Sequence, residues 1–255
     1  MATYKKRGFK PRTKEDEMAH DELHSTTAGV FSTLDQSASK SEEWVSRNQS
    51  FIIGVIGVIA VAVLGYLGYH QFVQKPKEAS ADNEMYYPRQ YFNQAVNGAA
   101  EKDSLYNLAL NGAEGKYGFL DIIDEYKGTK AANLANYSAG MAYLNMQKYQ
   151  DAITYLERFS SDDAILGALA KGGIGDAFMQ LNQPSDALGY YEKAINHSTN
   201  DYTTPRFLYK AGVTALELKR NDKALKYFQR IRDEFPNSDE SRSVDTYIGM
   251  AKGSE

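Results

Sequence analysis

Residues 139–156 read AGMAYLNMQKYQDAITYL. Gly140 is followed three residues on by Tyr143, then by Ala152, and four residues later by Leu156. The same order returns in GIGDAFMQLNQPSDALGYY (173–191), with Gly175, Phe178, Ala187 and Tyr191. It returns again in KAGVTALELKRNDKALKYF (210–228), with Gly212, Ala215, Ala224 and Phe228. VDTYIGMAK (244–252) repeats only the first half, around Gly249. The four glycines stand 35, 37 and 37 residues apart. Close packing accounts for the order. A glycine and an alanine at a helix crossing let two helices approach, and a bulky side chain at either position forces them apart. The aromatic and aliphatic residues then fill the space beside the crossing.

This period and this order of small and aromatic residues resemble the tetratricopeptide repeat, a helix–turn–helix unit of about 34 residues. The resemblance implies an all-α solenoid. The turns read NMQKYQ, LNQPSD and LKRND, with Pro184 placed to open a helix and Asp222 placed to cap one. The half-unit around Gly249 is expected to form a final capping helix. Upstream, FLDIIDEYKGTKAANLA (119–135) aligns with FQRIRDEFPNSDESRSV (228–244), Tyr126 over Phe235. Residues 115–127 are therefore expected to form the second helix of a degenerate earlier unit. EMYYPRQYFNQAVNGAA (84–100) and DSLYNLALNGA (103–113) read as further helices, with Pro88 near a helix start. The expected organisation is a repeat domain over 75–255. It comprises a degenerate unit at 84–130, repeats at 133–166, 168–201 and 205–238, and a capping helix at 240–252.

Ahead of the array lies FIIGVIGVIAVAVLGYLGY (51–69), and no Lys, Arg, Asp or Glu occurs between Asn48 and Gln74. Such a stretch is long enough to cross the roughly 30 Å of a bilayer core. It begins some fifty residues into the chain and is followed by no A-x-A-like cleavage site, unlike a signal peptide. A single transmembrane helix over 48–74 is expected, the other reading being a buried core helix. Trp44, Tyr66 and Tyr69 suit the interfaces. Gly54, Gly57, Val61, Gly65 and Gly68 fall on one narrow face at about 100° per residue, a surface on which another helix can pack closely in lipid. The first fourteen residues, MATYKKRGFKPRTK, carry six basic groups and no acid, which favours a cytoplasmic N-terminus. The near flanks, Lys40 and Arg47 against Lys75, Lys77 and Arg89, are almost balanced.

Residues 1–47 run from basic to acidic and Ser/Thr-rich, with few large apolar residues beyond Phe31, Leu34 and Trp44, and are expected to be largely disordered. HDELH at 20–24 sets His20 and His24 four apart, but Asp21 stands where a zinc protease needs glutamate. The 255-residue chain has no cysteine, which removes disulfides, thiolate metal sites and thiol nucleophiles. Its net charge of −4 leaves no nucleic-acid footprint at the level of the whole chain. GGIG at 172–175 has no strand before it and no Lys-Ser/Thr after it, so it reads as a helix crossing and not as a phosphate loop. His70 and His197 have no evident acid or metal partner in the sequence, His197 being expected in a polar loop. No catalytic constellation, cofactor site or metal site is expected.

A repeat array of this kind offers a concave surface lined by its first helices. By repeat position, that surface draws on Tyr137, Met141 and Leu144, then Asp176 and Met179, then Tyr209, Val213 and Leu216. Clamps of this family that hold a terminal carboxylate need lysine and asparagine where this chain has Tyr137 and Met141. An apolar segment or helix is the expected ligand, since Met and aromatic side chains make adaptable contacts. The same side chains also serve as inter-repeat core.

Tail, span and repeat array together resemble the YfgM-like ancillary subunits of the bacterial Sec translocon. The likeness rests on YFNQAV soon after the span and on IIDEYKGTKAANLANYSAGMAYLNMQKYQDAITYL (122–156). It implies a non-enzymatic, single-pass inner-membrane protein with its N-terminus in the cytoplasm and its repeats in the periplasm. It also implies association with the translocon, with a membrane-anchored parvulin-type prolyl isomerase chaperone and with nascent exported polypeptides. A generic scaffold for envelope assembly or secretion, or a membrane signalling receptor, are the other readings.

Overall fold

The computed structural model describes residues 43–98 and 101–253. His20, His24, Phe31 and Leu34 lie outside them. Among the described residues the fold is all-α, and the only extended pairing is an isolated bridge between Ala113 and Lys116.

The chain divides into two units at Tyr69/His70. In the first, α1 (Gln49–Tyr69) has no buried residue and is long and apolar enough to cross a membrane. The second begins with a π-helical turn, His70–Gln74, and continues through α2 (Lys75–Glu84), α3 (Tyr86–Val96), α4 (Lys102–Asn111) and α5 (Phe119–Glu125). Three helical hairpins follow: α6 (Lys130–Asn145) with α7 (Tyr149–Arg158), α8 (Leu166–Gln180) with α9 (Pro184–His197), and α10 (Thr204–Glu217) with α11 (Asn221–Glu234). A short 3-10 turn, Glu240–Ser243, leads into α12 (Val244–Gly253). Each helix packs chiefly on its chain neighbours, the arrangement of a solenoid.

The glycines do what their spacing requires. A Cβ built on Gly140 would come within 2.5 Å of Leu156 Cγ; on Gly175, within 2.6 Å of Tyr191 Cε1; on Gly212, within 2.5 Å of Phe228 Cζ. Ala152, Ala187 and Ala224 are fully buried at the same crossings. Beside them Tyr143 stacks on Tyr155 and Phe178 on Tyr190.

The three hairpin turns are closed identically. Gln147, Asn182 and Lys219, each seven residues past the repeat glycine, adopt positive φ of 60°, 57° and 56°. The following N–H reaches back to the carbonyl five residues earlier: Lys148 to Tyr143, Gln183 to Phe178, Arg220 to Ala215. This is the Schellman closure of a helix C-terminus. Pro184 is the first residue of α9. Asp222 departs from its expected role, since Arg220 holds the capping position of α11 and Asp222 lies within the first turn.

Upstream, α5 is shorter than the 115–127 helix the alignment suggested. Gly118 starts it, its N–H donating to Asp121 Oδ2 at 3.0 Å. Pro88 sits in the first turn of α3 and is buried. Helix α2 is fastened across the start of α6. Glu78 accepts the backbone N–H groups of Lys130 (2.9 Å) and Ala131 (3.1 Å), while Lys77 Nζ and Gln74 Nε2 donate to the carbonyls of Lys127 and Gly128. A carboxylate at a helix N-terminus is favoured by the exposed N–H groups and the dipole. Ala81 and Met85 bury completely beneath this contact.

Candidate partner groove

The first helices of the repeats carry the side chains expected to face a partner. Tyr137 and Met141, one turn apart on α6, line a cavity of about 460 Å³ whose other wall is Phe92 and Val96 of α3 and Tyr106 of α4. Lys102, Asp103 and Asn145 form its polar lining. Tyr137 also rests against Phe159, ring centroids 5.2 Å apart. Burial pushes the Tyr137 hydroxyl above its ordinary pKa; Tyr202 adds to this and Arg206 opposes it, so the start of α10 is electrostatically within reach of α6.

Met141 and Leu144 lean the other way as well, onto the Gly173 position of α8, with Met141 Sδ at 3.5 Å and Leu144 Cδ2 at 3.7 Å from a Cβ built there. Met179 accepts a contact from Thr214 Oγ1 at 3.6 Å, tying α8 to α10. Tyr209 donates its hydroxyl to Tyr247 at 2.7 Å and meets both Phe228 and Tyr247 edge-on. Val213 and Leu216 are half-buried against the core of the third repeat. The structure thus gathers Tyr137 and Met141 into one cavity and sets Met179, Tyr209, Val213 and Leu216 along the inter-repeat seam.

The charge of this face is largely spent internally. Lys210 Nζ pairs with Asp176 at 2.5 and 2.7 Å, and the Tyr191 hydroxyl donates to Asp176 Oδ1 at 2.8 Å. Burial, the Asp176 charge and this hydrogen bond together drive the Tyr191 pKa far upward. The cleft at Tyr137 and Met141 is mixed: its aromatic wall suits an apolar segment, and Lys102, Asp103 and Asn145 give it a polar side.

Phe92, Val96, Lys102, Asp103 and Tyr106 are among the lining residues that sequence reasoning missed. They lie in helices that share no register with the repeats, so no repeat position assigns them a face. His197 differs from expectation too. It is the last residue of α9 and not a loop residue, with Nε2 2.9 Å from the Asp163 carbonyl and Nδ1 3.2 Å from Lys171 Nζ. Those contacts are structural, and among the described residues no three His, Asp or Glu side chains gather to hold a metal.

On the face of α1, no described residue lies within 4 Å of a Cβ built on Gly54, Gly57, Gly65 or Gly68, and Val61 is exposed.

A search among curated proteins finds no match. The family model described as "Tetratricopeptide repeat" matches residues 137–202 and, overlapping them, 173–239. The three hairpins carry the tetratricopeptide-repeat pattern, a fold that generally serves to bind other proteins, and they follow one long apolar helix.

Proposed function

We propose that the chain is a membrane-anchored, non-enzymatic adaptor whose repeat groove holds an apolar segment of a partner protein. The observation that carries this reading is the cleft at Tyr137 and Met141, walled by Phe92, Val96 and Tyr106, with Lys102, Asp103 and Asn145 on its polar side. The more specific form follows the sequence resemblance. The protein is an accessory subunit of the Sec translocon, anchored in the inner membrane with its repeats in the periplasm. There it joins a membrane-anchored parvulin-type chaperone to nascent exported chains. Two features support it: the apolar α1 ahead of the repeats, and a groove chemistry matched to unfolded or helical apolar polypeptide.

The test is paired. Tyr137→Ser with Met141→Ser should weaken photo-crosslinking of the full chain to its partners, identified by mass spectrometry after solubilisation in mild detergent. Truncated hot-spot contacts cost about 2 kcal/mol, roughly thirtyfold in affinity. Because Tyr137 also packs on Phe159 and Met141 on the Gly173 position, the midpoint should fall too, but crosslinking should drop by more than the loss of folded chain accounts for; a collapsed midpoint returns both residues to the core. Undiminished crosslinking rejects the groove. Partners that include no translocon or chaperone subunit reject the specific form and leave the adaptor.

A further inference from the structure

A cavity of about 460 Å³, separate from the groove, lies between α2, the first turn of α3 and the first two turns of α6. Ala79, Ala131 and Leu134 give it an apolar lining, and Lys75, Arg89 and Lys130 give it three cations. Glu78 and Asp82 line it as well, and both are engaged. Glu78 accepts the backbone N–H groups of Lys130 and Ala131, and Asp82 lies 3.7 Å from Arg89. The lysines meet only neutral acceptors. Lys75 Nζ donates to Gln71 Oε1 at 2.7 Å and Lys77 Nζ to the Lys127 carbonyl at 3.1 Å. Among the described residues no carboxylate lies within 4 Å of the Lys75, Lys77 or Lys130 ammonium.

The place of these lysines in the chain says what they face. Lys75 is the first charged residue after the apolar stretch, six residues beyond Tyr69. Six residues reach no further than about 20 Å even when fully extended. The chain therefore keeps Lys75 and Lys77 near the end of α1, however the two units are turned. The turn ahead of α6 is held to them, because Gln74 and Lys77 donate to the carbonyls of Gly128 and Lys127. Lys130, distant in sequence, thereby joins Lys75 at one cavity. Basic side chains just beyond a span lie in the field of an anionic leaflet, which attracts them. The apolar lining between them suits the glycerol and first acyl carbons of a lipid, and Asp82 offers an acceptor to a headgroup hydroxyl.

We propose that this cavity binds the headgroup of an anionic phospholipid, its phosphate between Lys75 and Lys130, with Lys77 and Arg89 adding to the attraction. The site rests on α1 lying in a bilayer and is indifferent to which side carries the repeats.

The test uses the full chain with a photo-reactive residue in place of Ala79, which is exposed and lines the cavity. The chain is reconstituted in nanodiscs of equal parts phosphatidylglycerol and phosphatidylethanolamine, and the mass of the adduct identifies the lipid captured. One basic side chain near an anionic surface is worth about fivefold in lipid affinity, so phosphatidylglycerol should be preferred at least about tenfold. Lys75→Gln with Lys130→Gln should remove most of that preference, and Lys75→Arg with Lys130→Arg should keep it. Lys219→Gln with Lys226→Gln, in the third hairpin, should leave it unchanged. Raised salt should narrow the preference of the native charges, a readout that needs no charge variant. Equal capture of the two lipids, a preference that survives the paired glutamines, or one lost equally in the third-hairpin control overturns the site. A photo-reactive residue in place of Leu64, inside α1, separates the two levels. Lipid captured there but not at Ala79 overturns the headgroup site alone, and none captured at Leu64 overturns the span and the site with it. Displacement of phosphatidylglycerol by inorganic phosphate, but not by chloride at matched ionic strength, overturns the lipid in favour of free phosphate.

Discussion

Gln147 and Lys219 hold a left-handed backbone that costs a residue with a Cβ about 1 kcal/mol or more, and that glycine adopts freely. Gln147→Gly and Lys219→Gly should each raise stability by about 0.5–1 kcal/mol after the extra entropy of the unfolded chain is subtracted. Asn182→Gly should gain less, since asparagine tolerates the conformation. Chemical denaturation of the full chain in mild detergent measures all three. These turns were legible in place but not in geometry, because neither glutamine nor lysine signals a positive φ; only the repetition of the closure shows that the hairpin imposes it. A second residue-scale prediction concerns Tyr209. Its hydrogen bond with Tyr247, then burial, then the neighbouring hydroxyl hold its pKa up at about 12. A raised folded pKa contributes stability that is complete below the unfolded value near 10 and is lost as pH rises through 12. The thermal midpoint should therefore fall between about pH 10 and about pH 12, and Tyr247→Phe should shrink the fall.

Among the helices, the repeat glycines were the legible part of the fold because their spacing reports contact. Gly175→Leu drives a side chain into the Tyr191 ring and should cost about 1–3 kcal/mol. Gly189, also in a helix interior, has no described residue within 4 Å of a built Cβ, so Gly189→Ala should stabilise by about 0.5–1 kcal/mol. Opposite shifts of the unfolding midpoint check the pair, and equal shifts would break the assigned register. The attachment of α2 was not legible. Glu78 and Lys77 meet partners 50 to 53 residues further along the chain, and nothing local distinguishes them from the neighbouring exposed Lys75. The α3–α4 wall of the groove escaped for a related reason. A face is assigned from sequence by a period, and these helices carry the apolar residues Phe92, Val96 and Tyr106 without one that is shared with the repeats.

For the molecule as a whole, the proposed arrangement is one span with its repeats on the far side. The absence of cysteine makes it directly readable. Ser37→Cys should resist a membrane-impermeant thiol reagent in intact cells, and Asn196→Cys, at an exposed position, should react. The reverse pattern would place the repeats in the cytoplasm and end the periplasmic reading. The glycine face of α1 belongs to the same scale. Gly57→Leu with Gly65→Leu leaves a helix apolar enough to insert but denies close approach to a neighbour. Recovery of membrane partners should drop at unchanged protein level, and a matching loss from Ala60→Leu with Ala62→Leu would show that the face is not special.

Helix α8 carries Gly167, Gly172, Gly173 and Gly175, each weakening an isolated helix by about 1 kcal/mol against alanine. Their positions receive His197 and Tyr191 from α9, Phe207 from α10 and Leu156 from α7. The helix is thus shaped by residues that mostly come after it in the chain, which imposes an order in time. During synthesis α8 emerges first and has little reason to coil until Tyr191 and Phe207 arrive to occupy it. At about 5–20 residues per second that delay lasts seconds. Through it the first hairpin stands with Ile153 and Leu156 uncovered, so the growing chain is itself a client for whatever guards unfinished proteins.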